Sequence, residues 1–266
     1  MSTAFDWLAA LDLGRAFSNC HGDLYGDWHR DPWQWPEMRW IATKRANLVS
    51  ARLNSDHLAR VALLDVPKEN FATRPAVVMD PLDRLIYQAL VDSGSVALVG
   101  EVQPWAFVGR LHRESPRRGV YPRKFEWENY RERLKLLVQR YPAVLKTDIV
   151  SFFSSIPIDE LVEHTRSRLG GGRLIDRLEW MLRKWDEVPQ RSGLMQRFLA
   201  SSVLATSYLG PVDDVLHRYS KNVGGAKGWV PLVQCDGWTT SGSSVETLRG
   251  SVEHRSTCKT RFTAFG

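Results

Sequence analysis

Apolar positions recur at helical spacing along much of the chain. Residues 37–62 carry Trp40, Ile41, Leu48, Leu53, Leu58 and Val61 among charges, which predicts one helix. Residues 63–79 hold two apolar runs around a Pro67-Lys68 turn, the second being Ala76-Val77-Val78-Met79, and predict a hairpin. Leu82, Leu85, Ile86, Ala89 and Leu90 line one face of a helix over 81–93. Trp127, Tyr130, Leu134, Leu137 and Val138 do the same over 126–140. The run from Ala143 to Val150 reads as a buried strand that ends on a carboxylate, Asp148. Two amphipathic helices are expected over 159–168 and 174–186, parted by Gly170-Gly171-Gly172, and a further helix over 194–217. Strands and helices are mixed, so the fold class is α+β or α/β.

Past about residue 229 the texture changes. The stretch 229–266 is rich in Ser and Thr and keeps neither a helical nor a strand period, although it contains Trp and Phe.

Composition narrows the choices. Of 266 residues, 43% are hydrophobic and 25% charged, as in a globular chain with a sizeable core. No run of 18 apolar residues exists, so no membrane span is expected. Asp6 and Asp12 interrupt the apolar N-terminus, which lacks the basic start of a signal peptide. Cys20, Cys235 and Cys258 form no close pair, which argues against a zinc site or a disulfide framework and for a reducing cytoplasm. The net charge of +6 suits a polyanionic partner such as nucleic acid. Trp28, Trp33, Trp35 and Trp40 lie beside Arg30, Arg39, Lys44 and Arg45, where rings could stack on bases or simply pack in a core.

Three motifs stand in order. The first is Lys146-Thr147-Asp148-Ile149-Val150-Ser151-Phe152-Phe153-Ser154-Ser155-Ile156, a strand-end aspartate followed by paired aromatics. By itself this is equally a buried strand closed by an N-capping aspartate. The second runs from Gly193-Leu194-Met195-Gln196-Arg197 through Ser201 and Leu204-Ala205 to Tyr208-Leu209. A plain buried helix would account for it too. The third joins Val66-Pro67-Lys68 and Arg74-Pro75 to Asp80-Pro81-Leu82-Asp83-Arg84-Leu85-Ile86-Tyr87-Gln88-Ala89-Leu90. A solvated basic hairpin is the alternative there.

Together, over roughly residues 40–220, these segments resemble motif A, motif B and the fingers of bacterial reverse transcriptases, the RNA-directed DNA polymerases. The subgroup looks like the stand-alone enzymes of phage defence and abortive infection, and retron-type and group II intron relatives share most of these features. The resemblance implies an α+β right-hand fold of fingers and palm. It implies that Asp148, with the backbone carbonyl of Ile149, holds metal. In the complete family enzyme two Mg²⁺ ions clamp the attacking and leaving oxygens. It makes Phe153, five residues on, the steric gate against a ribose 2′-hydroxyl. Lys68 and Arg74 become the triphosphate contacts and Gln196 a nucleotide-binding residue. The implied partners are an RNA template, a DNA or RNA primer and deoxynucleoside triphosphates. Arg110, Arg113, Arg117, Arg118, Arg123 and Lys124 occupy the place of a fingers insertion that contacts phosphate; a solvated charge run reads the same way.

Two positions depart from motif B: Met195 stands for Pro, and Arg197 for a Gly that lets backbone approach template and nucleotide. Three other patterns are set aside. His29-Arg30-Asp31 lacks the rest of a kinase. Gly170-Gly171-Gly172-Arg173 lacks the Gly-Lys-Ser/Thr of a phosphate loop. Asp213-Asp214 is read as a structural continuation of the motif B helix.

Motif C, two adjacent aspartates in a hairpin, is missing after Asp214, and so is a thumb. The expected organisation is a helical region over 1–62, fingers over 63–140, an incomplete palm over 141–228 and an aberrant, out-of-frame tail over 229–266. The tail reading rests on codons. The single Trp codon ends in G and every Thr codon begins with AC, so the Trp238–Thr239 junction contains GAC, an aspartate, in a shifted frame. Codon degeneracy permits Trp-Met-Asp-Asp-Phe-Trp-Leu-Phe-Gly in that frame across Asp236 to Val245, which is a motif C hairpin. The chain as written is therefore expected to be inactive in RNA-templated DNA synthesis. A non-catalytic RNA- or protein-binding relic is the alternative.

Overall fold

The computed structural model describes residues 5–23, 31–67, 73–103, 105–107, 110–112, 123–140, 149, 151–222 and 233–234. Within them the chain is mixed α and β and mostly helical, with two small two-stranded sheets. No described helix is long and apolar enough to cross a membrane.

The N-terminal stretch forms two helices that apolar periodicity did not single out. Helix α1 (Trp7–Ala10) is capped by Asp6, whose carboxylate accepts from Leu8 and Ala9 amides. Helix α2 (Leu13–Asp23) buries Leu13, Ala16, Cys20 and Asp23. The single helix expected over 37–62 is two helices, α3 (Pro36–Lys44) and α4 (Ala46–Leu53). They break at Arg45, which leaves the helical region at φ −136° and ψ 37°. The break aims Met38 and Ile41 on α3, and Val49 and Leu53 on α4, into the same core. Asn54 then ends α4, and its side chain accepts from Trp7 Nε1 at 2.8 Å.

Strands β1 (Ala62–Pro67) and β2 (Thr73–Val78) pair antiparallel, with Leu64 opposite Ala76 and Val66 opposite Arg74, as the hairpin reading expected. Asp80 caps helix α5 (Pro81–Val99) by accepting from Leu82 and Asp83 amides, and Pro81 fills the first helical position. Helix α5 outlasts the expected end at residue 93. Ser93 and Ser95 return their hydroxyls to the carbonyls of Leu90 and Asp92, so residues that usually favour turns are held in the helix. Buried around most of its circumference, α5 is the central rod of the core. Helices α2, α3, α4, α8, α9 and α10 (the last three bounded below) pack on it.

Strand β3 (Ala106–Phe107) pairs parallel with β4 (Val233–Gln234). Helix α6 (Arg123–Arg140) follows the expected segment with one further turn at its start. Helix α7 (Phe152–Ser155) is a single turn. Helices α8 (Ile158–Leu169) and α9 (Arg173–Asp186) lie where their patterns placed them, with the three glycines between. On α9, Ile175, Leu178, Met181, Leu182 and Trp185 form the buried stripe. The helix expected over 194–217 is instead α10 (Leu199–Tyr208) and α11 (Gly210–Asn222). Pro211 enforces the break: it has no amide hydrogen, and its ring would collide with the carbonyl of Ser207 in a continuous helix.

One hydrophobic cluster unites residues from Trp7 to Ala205. Apart from Ile149, the strand expected over 143–150 lies outside the described residues, as does nearly all of the tail.

Candidate functional site

The described part of the site is a turn wrapped against α7. Residues 187–198 connect α9 to α10, and three of them have positive φ: Gln190 at 67°, Gly193 at 67° and Arg197 at 71°. The Leu194 amide donates to the Phe153 carbonyl at 2.8 Å, and the Ser192 hydroxyl donates to the Ser154 carbonyl at 2.9 Å. From the other side, the Gly193 amide donates to Asp186 Oδ1 at 2.9 Å. The Arg191 guanidinium donates to the carbonyls of Trp185 and Gly193, tying the turn to the end of α9. A side chain at 193 has no room. Its Cβ would lie 2.3 Å from the Phe153 carbonyl oxygen and 2.9 Å from Ser154 backbone. Residues 153–154 and 192–194 thus meet backbone to backbone.

Helix α10 begins on Phe198, which offers no capping oxygen. Its first amides would be orphaned. Asp23 of α2 accepts from Leu199, and Gln88 of α5 accepts from Ala200 at 3.0 Å. Tyr87 and Ser201 share a buried hydrogen bond of 3.0 Å, and Arg84 lies over the Phe198 ring at 4.7 Å. Tyr87 also packs edge-on to Trp185, with ring centroids 5.2 Å apart. Arg84, Tyr87 and Gln88 of α5 therefore act on the start of α10 from inside the core. Burial raises the Tyr87 hydroxyl pKa, the Ser201 hydrogen bond opposing it, so the ring is a neutral structural group.

Beneath this contact Asp92 is 2% exposed and receives the side chains of Gln88 at 2.9 Å and Asn19 at 3.0 and 2.9 Å. Arg15 Nε lies 3.8 Å from it. Desolvation outweighs these partners and pushes its carboxyl up to about 6. Cys20, buried in the same region, has its thiol pushed up to about 12 by desolvation, which makes it a packing residue rather than a nucleophile.

The residues singled out from sequence fall in different places. Asp148 and Lys68 lie outside the described residues. Ile149 is in neither helix nor strand and is 51% exposed. Arg74 sits in β2 opposite Val66. Phe153 is 3% exposed, in the core, and packs edge-on to Phe152 at 5.4 Å. Gln196 follows Gly193 in the turn, and its Oε1 is buried with no hydrogen-bond partner. Arg110 pairs with buried Glu126 through two contacts of 2.7 Å and lies 4.3 Å over Phe107, so this member of the basic stretch is committed internally. Among the tryptophans, Trp35 is 8% exposed, while Trp33 is 77% and Trp40 48% exposed, the latter under Arg45. Trp28 lies outside the described residues.

Among the described residues, which do not include Asp148, no group of three His, Cys, Asp or Glu side chains is placed to hold a metal ion. The sequence pattern missed Asp23, Asp92 and Asp186, because each acts on a backbone or side chain distant in sequence or outside any motif. No protein-family model matches the chain, and no curated protein matches it.

Proposed function

We propose that this chain is the fingers-and-palm part of a reverse-transcriptase-like protein whose family reaction is RNA-templated DNA synthesis, and that as written it does not catalyse that reaction. One observation carries the reading. Arg197 occupies a left-handed backbone conformation, φ 71°, at the position where motif B has glycine. Arginine has no intrinsic reason to be there, since the left-handed region costs a residue with a Cβ roughly 1 kcal/mol. A turn shape inherited from a glycine-bearing motif supplies the reason. The close backbone contact of Gly193 with Phe153 and Ser154 supports it independently, because it brings the motif A and motif B segments side by side.

In this reading Asp148, with the Ile149 carbonyl, is a metal ligand, Lys68 and Arg74 contact triphosphate, and Gln196 meets the nucleotide. The missing second carboxylate carrier removes two-metal transfer from the chain. The lost motif C lies in a shifted reading frame across Asp236 to Val245.

The gene sequence over codons 220–266 tests the frame: it must encode adjacent aspartates in another frame. The full chain, offered a primed RNA template, deoxynucleotides and Mg²⁺, is expected to incorporate nothing. The frame-repaired protein is expected to extend the primer, and Arg197→Gly in it to extend faster. Polymerisation by the 266-residue chain itself, or a gene without the shifted aspartates, overturns the proposal.

The exposed Trp33 and Trp40 favour a second reading, a binding relic that grips single-stranded RNA by stacking. Metal-independent RNA binding lost in Trp40→Ala distinguishes it.

A further inference from the structure

A cleft of about 170 Å³ opens where α5, α8 and α10 end and α11 begins. Leu98 and Val102 line it from the end of α5, His164 and Arg168 from the last turns of α8, and Thr206 and Ser207 from the last turn of α10. Three helix C-termini thus converge on one volume. Each presents carbonyls without intrahelical partners and about half a negative charge. The first turn of α11 brings a positive helix end there, and it carries Asp213 and Asp214 on the cleft wall.

Asp213 is 5% exposed, and its Oδ1 is buried with no hydrogen-bond partner. A carboxylate oxygen taken from water without a donor is costly, so the site is electrostatically incomplete. The cations of the cleft do not complete it. Arg168 is engaged with Glu101 at 3.2 Å. His164 Nε2 is within 3.0 Å of Ser207 Oγ, and burial, then the nearby Arg168 charge, lower its pKa, which favours the neutral ring.

The missing component is a cation that donates hydrogen bonds. A metal ion is disfavoured because no three ligating side chains among the described residues converge on a point. An ammonium needs fewer fixed ligands: its three N–H groups can be shared between one buried carboxylate oxygen, a second aspartate and helix-end carbonyls. Leu98 and Val102 supply apolar wall for the methylenes next to it.

We propose that this cleft binds a primary alkylammonium group, with Asp213 Oδ1 as its buried acceptor. The group comes either from a free diamine or polyamine or from a lysine side chain of a protein. This site is independent of the polymerase reading.

The full chain is titrated with 1,4-diaminobutane, with Nα-acetyl-lysine N-methylamide, and with butan-1-ol as the neutral isostere, while backbone amide shifts are followed. The expected result is binding of an ammonium probe but not of the alcohol, with shift changes centred on Leu98, Ser207 and Asp213. Tighter binding of the diamine assigns a free polyamine, and equal or tighter binding of the lysine derivative assigns a protein side chain. Asp213→Asn keeps the shape and should weaken binding roughly tenfold or more, the loss of one charge-assisted hydrogen bond. Absence of binding by both ammonium probes, shifts centred elsewhere, or undiminished affinity in Asp213→Asn overturns the proposal. Should Asp213→Asn not fold, the location of the shifts in the unaltered chain decides alone.

Discussion

Gly193 and Phe153 touch through backbone alone: the space a Cβ at 193 would need is filled by the Phe153 carbonyl oxygen, 2.3 Å away. Because the next amide, that of Leu194, donates to the same oxygen at 2.8 Å, the approach cannot open without breaking a hydrogen bond. The positive φ of 67° adds conformational cost for any other residue. Gly193→Ala should therefore lower stability by about 3 kcal/mol, combining clash and left-handed strain. Gly171→Ala is the control, since its Cβ meets nothing within 4 Å and its φ is not in the left-handed range. Urea unfolding followed by circular dichroism checks both. Equal midpoints for the two variants would show that the turn does not need glycine.

The Tyr87–Ser201 hydrogen bond joins two of the sequence motifs inside the core. Tyr87→Phe leaves the Ser201 hydroxyl buried without its partner and should cost about 1–2 kcal/mol. Ser201→Ala leaves the tyrosine hydroxyl in the same position. The double variant should be less destabilised than the two single losses summed, with a coupling of about 1 kcal/mol. Additivity in a double-mutant cycle would mean that the two groups do not depend on one another.

Local pattern located the helices whose burial is one-sided. The stripe Ile175, Leu178, Met181, Leu182 and Trp185 repeats at helical spacing, and α9 lies where it predicted. The hairpin was readable as two apolar runs, but its register was not: Pro67, expected in the turn, is the last residue of β1 and pairs with Thr73. The break at Leu209 was also written in the chain, in Pro211 two residues on. The capping of α10 was not readable. Its donors are satisfied by Asp23 and Gln88, which lie 176 and 112 residues away, and no local rule couples positions that far apart. Of the site residues, Asp148 and Lys68 lie outside the described residues, and the unmatched carboxylate of Asp213 emerged only when three helix ends met around it.

Asp92 makes stability depend on pH in a defined direction. Its carboxyl is pushed up to about 6 in the folded chain, chiefly by desolvation, against about 3.9 in an unfolded one. Between those values the folded state holds a proton that the unfolded state has released. Stability from this group is therefore fully present below about pH 4 and is lost as pH rises through about 6. Asp213, also raised to about 6 by burial and by the neighbouring Asp214, adds a slope of the same sign. Asp92→Asn should flatten the fall in stability between about pH 4 and about pH 7, and the double change with Asp213→Asn should flatten it further. An unaltered slope in the double variant would show that neither carboxyl is proton-linked to folding.

Phe153 has two separable roles. It is 3% exposed in the core of this chain, so Phe153→Ala should cost about 3–5 kcal/mol through lost burial and the cavity left behind. Phe153→Leu keeps most of the volume and should cost less than half as much. Under the polymerase reading the same ring, five residues after Asp148, sets sugar choice in the frame-repaired protein. Stability and gating are distinguished by reading a ratio. Partial unfolding lowers ribonucleotide and deoxynucleotide incorporation by the same factor, because both need the folded enzyme, so their ratio is insensitive to it. A gate acts on the ratio itself, since only the ribose carries the 2′-hydroxyl that meets the ring. Phe153→Ala, assayed at low temperature where enough folded protein remains, should raise the ribonucleotide-to-deoxynucleotide ratio, with Phe153→Leu intermediate. Loss of both activities at a constant ratio would assign Phe153 to the core alone and remove it from the nucleotide site.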